Sequence, residues 1–139
     1  MNFEEFRVFA ETKFDTDWTA SPIDWENVTE SAALVAAKNA KSPWVRFVIR
    51  DGDGARMTIG APSRVNRYAG VLIIQIFVAQ NTRTATARGY ADAAAAIWDS
   101  YAGEPDLEFG PASVTTVGEN GGWFQVNATT PFKNDELTS

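Results

Sequence analysis

The sequence predicts an α/β (α+β) fold: a mixed, mainly antiparallel sheet of about six strands with two main helices packed on it. Residues 67–79 form a strongly apolar segment whose β-branched residues favour a strand over a helix. In residues 84–101, which follow, apolar and aromatic side chains recur at helical spacing: Tyr90, Ala94, Ile97, Trp98 and Tyr101. We therefore expect residues 71–78 to form the central strand and the helix to cover one of its faces.

This central strand is apolar on both faces. Alternation places four aliphatic residues on one face: Leu72, Ile74, Ile76 and Val78. The other face is apolar except for one amide: Val71, Ile73, Gln75 and Phe77. A strand of this kind must be covered on both sides. The following helix can cover one side, and a partner subunit is a good candidate for the other, so the pattern favours an assembly protein.

Shorter patterns predict the N-terminal elements. Asn2 can cap a first helix, in which the residues at helical spacing are Phe3, Phe6, Phe9 or Ala10, and Lys13 or Phe14. Residues 15–22 are predicted as a loop and residues 23–28 as a short strand. Residues 29–43 are predicted as a long loop with one helical turn at 32–37.

Turn residues divide the rest of the chain. Residues 44–50 are predicted as a strand, 51–54 as a tight hairpin turn, 55–60 as the return strand and 61–66 as a second connection. Gly103 and Pro105 end the second helix. Two further strands, residues 112–117 and 123–130, flank a hairpin turn at 119–122. We expect a single domain, residues 1–139, with 133–139 as a flexible tail.

The composition argues against common catalytic and metal chemistry. The chain has 139 residues, with no His and no Cys, so the usual general base and the commonest metal ligands are missing. We expect no catalytic residue, no metal and no cofactor. The N-terminus lacks a secretory signal, and the longest apolar run is too short to span a bilayer. The simplest interpretation is a soluble protein made in a cytoplasm, with no membrane partner.

The charges are unevenly distributed. Residues 38–88 contain nine basic residues and two acids, a net +7, whereas the flanks contain three basic residues and sixteen acids, a net −13. One interpretation is DNA contact by the middle segment. The other is that flanks and middle pair with each other, within one chain or between subunits. No nucleic-acid motif accompanies the arginines, which favours the second interpretation.

Several motifs together resemble one protein family. They are Trp25-Glu26-Asn27-Val28, Trp44-Val45-Arg46-Phe47, Arg64-x-x-Arg67-Tyr68-x-Gly70-x-Leu72 with Gln75-Ile76-Phe77, Asn81-Thr82-x-Thr84-Ala85 with Ala91-Asp92-Ala93, and Gly122-Trp123-Phe124-Gln125-Val126-Asn127 with Pro131-Phe132. In this order and spacing, over residues 23–132, they resemble the tail terminator proteins of long-tailed double-stranded DNA bacteriophages. Members of that family often have Gly near the position of Arg83, and this chain does not.

The resemblance implies a structural virion protein with a small α/β sandwich fold. Its subunits would form a homohexameric ring that caps the tail tube, stops its growth and provides the head-to-tail joining surface. The implied partners are other copies of the chain, the tail tube protein and a head–tail connector or neck protein. The protein would be made in the bacterial host cytoplasm and lie at the head-proximal end of the tail. DNA would pass through the channel without specific binding, and the family has no catalytic residues to transfer.

The expected subunit or tube interface is a set of basic residues and one tyrosine: Arg64, Arg67, Tyr68, Arg46 and Arg50. Residues 60–68 are the core of this expectation, and a solvated loop is the alternative for them. Two other functions stay open for the chain. It could be a nucleic-acid-binding module that uses the basic segment 38–88, or a small-molecule binder or enzyme with a pocket between helix and sheet. Another neck or head–tail connector component is a further alternative.

Overall fold

The apolar strand is the centre of an open sheet, as the sequence predicts. The computed structural model describes residues 1–57, 64–103 and 105–138. These residues form an α+β fold with three helices and a six-stranded, mostly antiparallel sheet. The elements in chain order are α1 (Phe3–Asp17), β1 (Ile23–Trp25), α2 (Ala32–Asn39), β2 (Trp44–Arg56), β3 (Arg64–Ala79), α3 (Ala85–Asp99), β4 (Leu107–Phe109), β5 (Ser113–Asn120) and β6 (Trp123–Thr138).

The sheet is organised around β3. The strand order is β1-β2-β3-β6-β4, and β5 pairs with β6 next to β4. β1 and β2 are parallel, and the other pairs are antiparallel. β3 pairs with β6 over its full length, from Arg64 opposite Thr138 to Ala79 opposite Trp123. β3 therefore has a hydrogen-bonded neighbour along each edge, β2 on one side and β6 on the other.

The main core lies between α1, α3 and the first face of the sheet, which we define as the face of Leu72, Ile74, Ile76 and Val78. All four side chains are buried. α3 contributes the predicted stripe, with Ala94, Ile97 and Trp98 buried and the tyrosines at its two ends partly buried. The predicted cover of the central strand is therefore confirmed.

α1 begins where the sequence predicts. The side chain of Asn2 accepts from the Glu5 backbone N–H at 2.8 Å, and the Glu5 carboxylate accepts from the Asn2 backbone N–H at 3.0 Å. This reciprocal capping box satisfies two donors at the helix start. α1 extends to Asp17, into the predicted loop, because Phe14 is buried in the aromatic core between Trp18 and Phe47.

The predicted hairpin turn at 51–54 and return strand at 55–60 are wrong. β2 continues through this segment to Arg56 and stays paired with β3, with a bulge between Asp51 and Gly54. The bulge absorbs the Asp-Gly-Asp-Gly segment without reversing the chain. The predicted connection at 61–66 is also wrong in part, since Arg64 already belongs to β3. Residues 58–63 lie outside the described residues.

The C-terminal segment is not a flexible tail over the described residues. Lys133–Thr138 continue β6 and pair with β3. The Asn134 side chain is buried, accepts from the Met1 amino group at 3.1 Å and donates to the Met1 carbonyl at 2.8 Å. Pairing with β3 therefore orders a segment whose polar composition indicated a tail.

Two short elements differ from the sequence prediction. α2 has eight residues, not one turn, and the Ser31 hydroxyl caps it by accepting from the Leu34 N–H at 3.1 Å. β4 has only three residues and was not predicted. By contrast, the predicted turn before β6 is confirmed, with Gly121 and Gly122 at positive φ between β5 and β6.

Candidate subunit interface

The second face of the sheet, which carries Val71, Ile73, Gln75 and Phe77, is only partly covered within the described chain. At one end, α2 packs Leu34 against three aromatic side chains, Trp44, Phe77 and Trp123. The Trp44 and Phe77 rings stack with centroids 4.1 Å apart, and Trp123 meets Trp44 edge-on at 5.9 Å. α2 is therefore the cover that the sequence pattern required but did not locate.

Polar side chains continue this face next to the aromatic cluster. Arg46 donates to the Gln75 side-chain oxygen at 3.3 Å, and Gln125 donates to the Asn127 side-chain oxygen at 2.9 Å. Asn120 in turn donates to Gln125 at 3.0 Å. Gln75 lies opposite both Arg46 and Asn127 in the strand register. The one amide in the apolar strand thus belongs to a polar row across the sheet.

Beyond the polar row, the second face carries partly buried aliphatic residues. Val71 and Ile73 of β3 are half-buried, and Thr129 and Pro131 lie opposite them on β6. In the described ranges α2 is the helix that packs on this face, and its contacts lie at the aromatic end. This partial cover is the feature of the fold most suited to a partner.

Arg46 and Arg50, two of the predicted interface residues, pair with acids of their own chain. The Arg46 Nε donates to Asp24 at 2.9 Å, and an Arg50 nitrogen lies 3.8 Å from a Glu26 oxygen. Both acids lie in or just after β1, which runs beside β2. These arginines help to hold the edge strand and the segment after it, and both keep a substantial exposed surface.

Arg67 and Tyr68, the next two predicted residues, also make intrachain contacts. Arg67 forms an ion pair with Asp135 of β6 at 2.8 Å. The hydrogen bonds of that pair raise the pKa of Arg67 and lower the pKa of the Asp135 carboxyl. Tyr68 projects from the opposite face and packs against Phe3 of α1, with ring centroids 4.8 Å apart. Arg64 lies in β3 with an exposed side chain. The structure therefore spreads the five predicted residues along β2 and β3 on both faces.

Ion pairs within the chain neutralise part of the uneven charge distribution. Four basic residues of the middle segment pair with acids of the flanks: Lys38 with Glu30, Arg46 with Asp24, Arg50 with Glu26 and Arg67 with Asp135. This agrees with the interpretation that flanks and middle fold against each other. Paired guanidinium groups are also less available to DNA phosphates.

An exposed apolar row at the sheet end was not found from the sequence. Met57, Val65 and Leu137 are neighbours across β2, β3 and β6, because the Met57 N–H donates to the Val65 carbonyl and Val65 lies opposite Leu137. Met57 is 49% exposed and Leu137 is 69% exposed. The only sequence signal is an isolated apolar residue in each of two polar segments. We call the strand segments 51–57, 64–69 and 133–138 the arm.

A groove beside α1 has a volume of about 630 Å³. Its lining includes four apolar side chains. Phe3 and Phe6 belong to α1, Val28 to the segment that follows β1, and Ile49 to β2. Glu4 and Glu11 at its margin both pair with Arg7, and the hydrogen bond from Arg7 lowers the pKa of Glu4. The Glu4 carboxylate is therefore favoured in its charged form on an open surface.

Neither a metal-binding cluster nor a membrane-spanning helix is found among the described residues. They contain no cluster of three or more acidic side chains placed to hold a metal ion. The helices among them are too short or too polar to cross a membrane.

Comparisons with known proteins support the fold. No model of a protein family matches the chain, and no curated protein matches it. Among solved structures, a protein without a descriptive name is similar, with a TM-score of 0.61 at 13% sequence identity. The similarity covers 96% of this chain and 97% of that protein. At this identity the likeness concerns the fold, and it spans nearly the whole of both chains.

Proposed function

We propose that this chain is a structural subunit of a bacteriophage tail, a tail terminator that assembles into a ring. The ring would cap the tail tube, stop its growth and provide the surface that joins tail to head. The partners are other copies of the chain, the tail tube protein and a neck protein, and DNA passes through the ring without specific binding. The observation that carries the assembly part of this proposal is the incompletely covered second face of the sheet.

A second line of support is the position of the motifs that resemble those of the tail terminator family. Trp44-Val45-Arg46-Phe47 is in β2, Arg67-Tyr68 and Gly70 are in β3, and Trp123-Phe124-Gln125 is in β6. These three strands are direct neighbours in the sheet, although β6 is far from β2 and β3 in sequence. The motifs that suggest the family thus belong to one continuous part of the fold.

The ion pairs refine the proposed interface. Because Arg46, Arg50 and Arg67 have acidic partners in their own chain, their first role is to hold strands and the segment after β1 in place. The apolar row on the arm is a better candidate for contact with another subunit. The residues of the row lie at the sparsely covered end of the sheet, where a second copy or the tube would bury them.

A nucleic-acid-binding module is the second candidate, and the exposed arginines favour it to a limited extent. Arg83 lies just before α3, Arg88 lies in its first turn and Arg56 lies on the arm, and all three are exposed. Retention on immobilised DNA that falls steeply with salt would favour this candidate.

The deciding experiment uses a phage that carries this gene. An early stop codon should yield filled heads and separate tails of abnormal length, and a wild-type copy supplied in trans should restore joined particles. Normal-length tails joined to heads in the mutant would refute the proposal. Negative-stain images of the purified wild-type protein at high concentration should show rings, since weak interfaces assemble by mass action.

A further inference from the structure

The sheet has two outer edges, and they differ in length. β1 forms one edge and has three residues, whereas β4 and β5 lie end to end along the other edge, both antiparallel to β6. β5 has eight residues, Ser113–Asn120. A very short strand is one of the ways in which proteins protect a sheet edge from pairing with another chain. β5 lacks this protection, so its outer side is the more suitable edge for a further strand.

The backbone of β6 alternates between its two neighbours, and two hydrogen bonds fix the phase of this alternation. The Gly110 N–H donates to the Pro131 carbonyl at 2.9 Å, and the Asp135 N–H donates to the Asp106 carbonyl at 2.8 Å. Residues 131 and 135 therefore direct these groups away from β3 and towards β4. β6 pairs with β3 without a register shift, so the other odd-numbered residues of β6 point the same way.

This alternation shows which backbone groups of β5 point outward. Ser113 and Thr115 lie opposite residues 129 and 127 of β6, so their N–H and C=O groups are directed to that strand. The N–H and C=O groups of Val114 and Thr116 are directed to the other side. In the described part of the chain no strand lies beyond β5 on that side. An extended segment placed there would exchange backbone hydrogen bonds with both residues.

The side chains of β5 leave this edge accessible over a short run. Residues 113–117 are all exposed and consist of Ser, Val and Thr, with no charge and no Pro. Val and Thr favour strands. Pro111 precedes the run, and a bulge between Thr116 and Gly118 follows it, with Gly118 at φ 97°. Both features interrupt regular pairing, so they confine an added strand to a short, defined stretch of the edge.

The charged residues along this edge are all acidic. Residues 105–120 contain Asp106, Glu108 and Glu119 and no Lys or Arg. Glu108 lies opposite Lys133 of β6, whereas Asp106 and Glu119 form no ion pair with any described residue. A second copy of this edge would bring no base to these acids. A segment with Lys or Arg beside an extended core would complement them.

We propose that the outer edge of β5 binds an extended, basic segment of another protein, which adds a strand to the sheet. The segment has β-branched residues in its core and Lys or Arg at its ends. Backbone hydrogen bonds to Val114 and Thr116 attach it, and the acids beside the edge select its charge. This inference goes beyond the proposed function, because it requires neither a ring nor a tail.

Hydrogen exchange of the β5 amides tests the proposal. The probe is a synthetic peptide with blocked ends, Lys-Thr-Val-Thr-Val-Thr-Lys. In the protein alone the amides of Val114 and Thr116 should exchange rapidly, and millimolar peptide should slow them at least about tenfold. The amides of Ser113 and Thr115 are internal controls, since β6 protects them with or without the peptide. No slowing at Val114 and Thr116 would overturn the proposal.

Peptide variants separate backbone pairing from side-chain contact. The same peptide N-methylated throughout its Thr-Val core has no core donors and should give no protection. A peptide with Glu at both ends should bind at least about threefold more weakly at low salt, and Glu119→Lys should reduce this preference. Equal protection by the N-methylated peptide would contradict strand addition. Equal binding of the Lys and Glu peptides would contradict selection by charge.

A proline substitution tests one hydrogen bond from the protein side. Thr116→Pro removes an outward N–H and no bond to β6, and an edge strand tolerates proline at such a position. Thr116→Ala is the matched control, because it also loses the side chain but keeps the N–H. We expect Thr116→Pro to bind the Lys peptide about fivefold more weakly than Thr116→Ala. Equal affinities would contradict the role of this N–H. If Thr116→Pro does not fold, the N-methylated peptide tests the same bond from the other partner.

The outcomes also separate this inference from the proposed function. Protection of Val114 and Thr116 that rises with protein concentration, without peptide, would identify a second copy as the occupant and overturn the proposal. If the peptide protects these amides but the phage mutant joins normal tails, the edge site stands and the tail-terminator role does not. If rings form and the phage mutant fails to join tails but the peptide gives no protection, the reverse holds.

Discussion

The guanidinium of Arg67 binds the carboxylate of Asp135 with two parallel hydrogen bonds, Nε to Oδ1 at 2.8 Å and Nη2 to Oδ2 at 3.0 Å. The residues are 68 positions apart in sequence and directly opposite each other on β3 and β6. Bidentate pairs of this kind impose geometry as well as attraction. Arg67, expected from the sequence at an interface between subunits, therefore joins two strands of one chain, and it ties the C-terminal segment to the sheet.

This pair predicts a pH dependence of stability. The pKa of Asp135 is lowered in the folded state, so its contribution is present above the pKa of an unfolded Asp, about 3.9, and is lost as the pH falls through the lower folded value. Asp135→Asn should lower the melting temperature at pH 7, and the difference from wild type should close below about pH 4. Thermal unfolding from pH 7 to 2.5 measures it. In an Arg67→Gln background, the same substitution should lose this pH dependence, and persistence there would contradict the assignment.

The buried face of β3 predicts a large difference between two adjacent positions. Ile74 is 1% exposed in the core under α1 and α3, whereas Ile73 is half-buried on the second face. Ile74→Asp should cost several kcal/mol, because it buries an unpaired charge, and should abolish soluble expression. Ile73→Asp is the matched control and should remain folded. A folded Ile74→Asp protein with an unchanged melting temperature would refute the assignment of the core face.

Arg83 predicts a stabilising substitution. It has φ of 62°, a conformation that costs a non-glycine residue free energy, and its side chain is exposed. Arg83→Gly should raise the free energy of unfolding by about 0.5–1 kcal/mol. Arg83→Ala keeps the Cβ atom and should give no such gain. Chemical denaturation of the three proteins compares them, and a destabilised glycine variant would show that the arginine side chain matters more than the backbone strain.

The exposed apolar row on the arm predicts that a substitution there weakens assembly and leaves the folded subunit stable. Leu137 is 69% exposed, so Leu137→Asp should change the free energy of unfolding by no more than about 0.5 kcal/mol. The same change should reduce the oligomeric fraction in sedimentation at high concentration, because it places a charge where a neighbour would bury apolar surface. Val117→Asp, on exposed β5, is the control and should assemble as wild type does. Equal assembly of both variants would remove the arm from the interface.

Local signals predicted much of the fold. The apolar β-branched run, the stripe of α3, the cap at Asn2 and the turn at Gly121-Gly122 each have a cause within a few residues, and each lies where the sequence indicates. The Asp-Gly-Asp-Gly segment shows the limit of such signals. Its composition is typical of a turn, yet hydrogen bonds to β3 on both sides of it keep it extended as a bulge.

The candidate site could be predicted only in part, for a related reason. The sequence shows that positions 46, 50 and 67 carry positive charges, but it does not show which acids pair with them. Asp24 is 22 residues from Arg46, and Asp135 is farther still from Arg67. Met57 and Leu137 carry no local signal of importance, because each becomes part of an apolar row only when three strands are aligned.

By itself the sequence determined the α+β class, the central apolar strand, the helix that covers its first face and the need for more cover than that helix provides. These properties follow from side-chain periodicity and backbone preference, which act over one turn or a few residues. Only the tertiary structure decided which charges neutralise each other, where α2 covers the second face, how far β2 and β6 continue, and which surfaces stay open. Those features depend on strand register and on contacts between residues distant in the chain, and a single β-bulge is enough to change them.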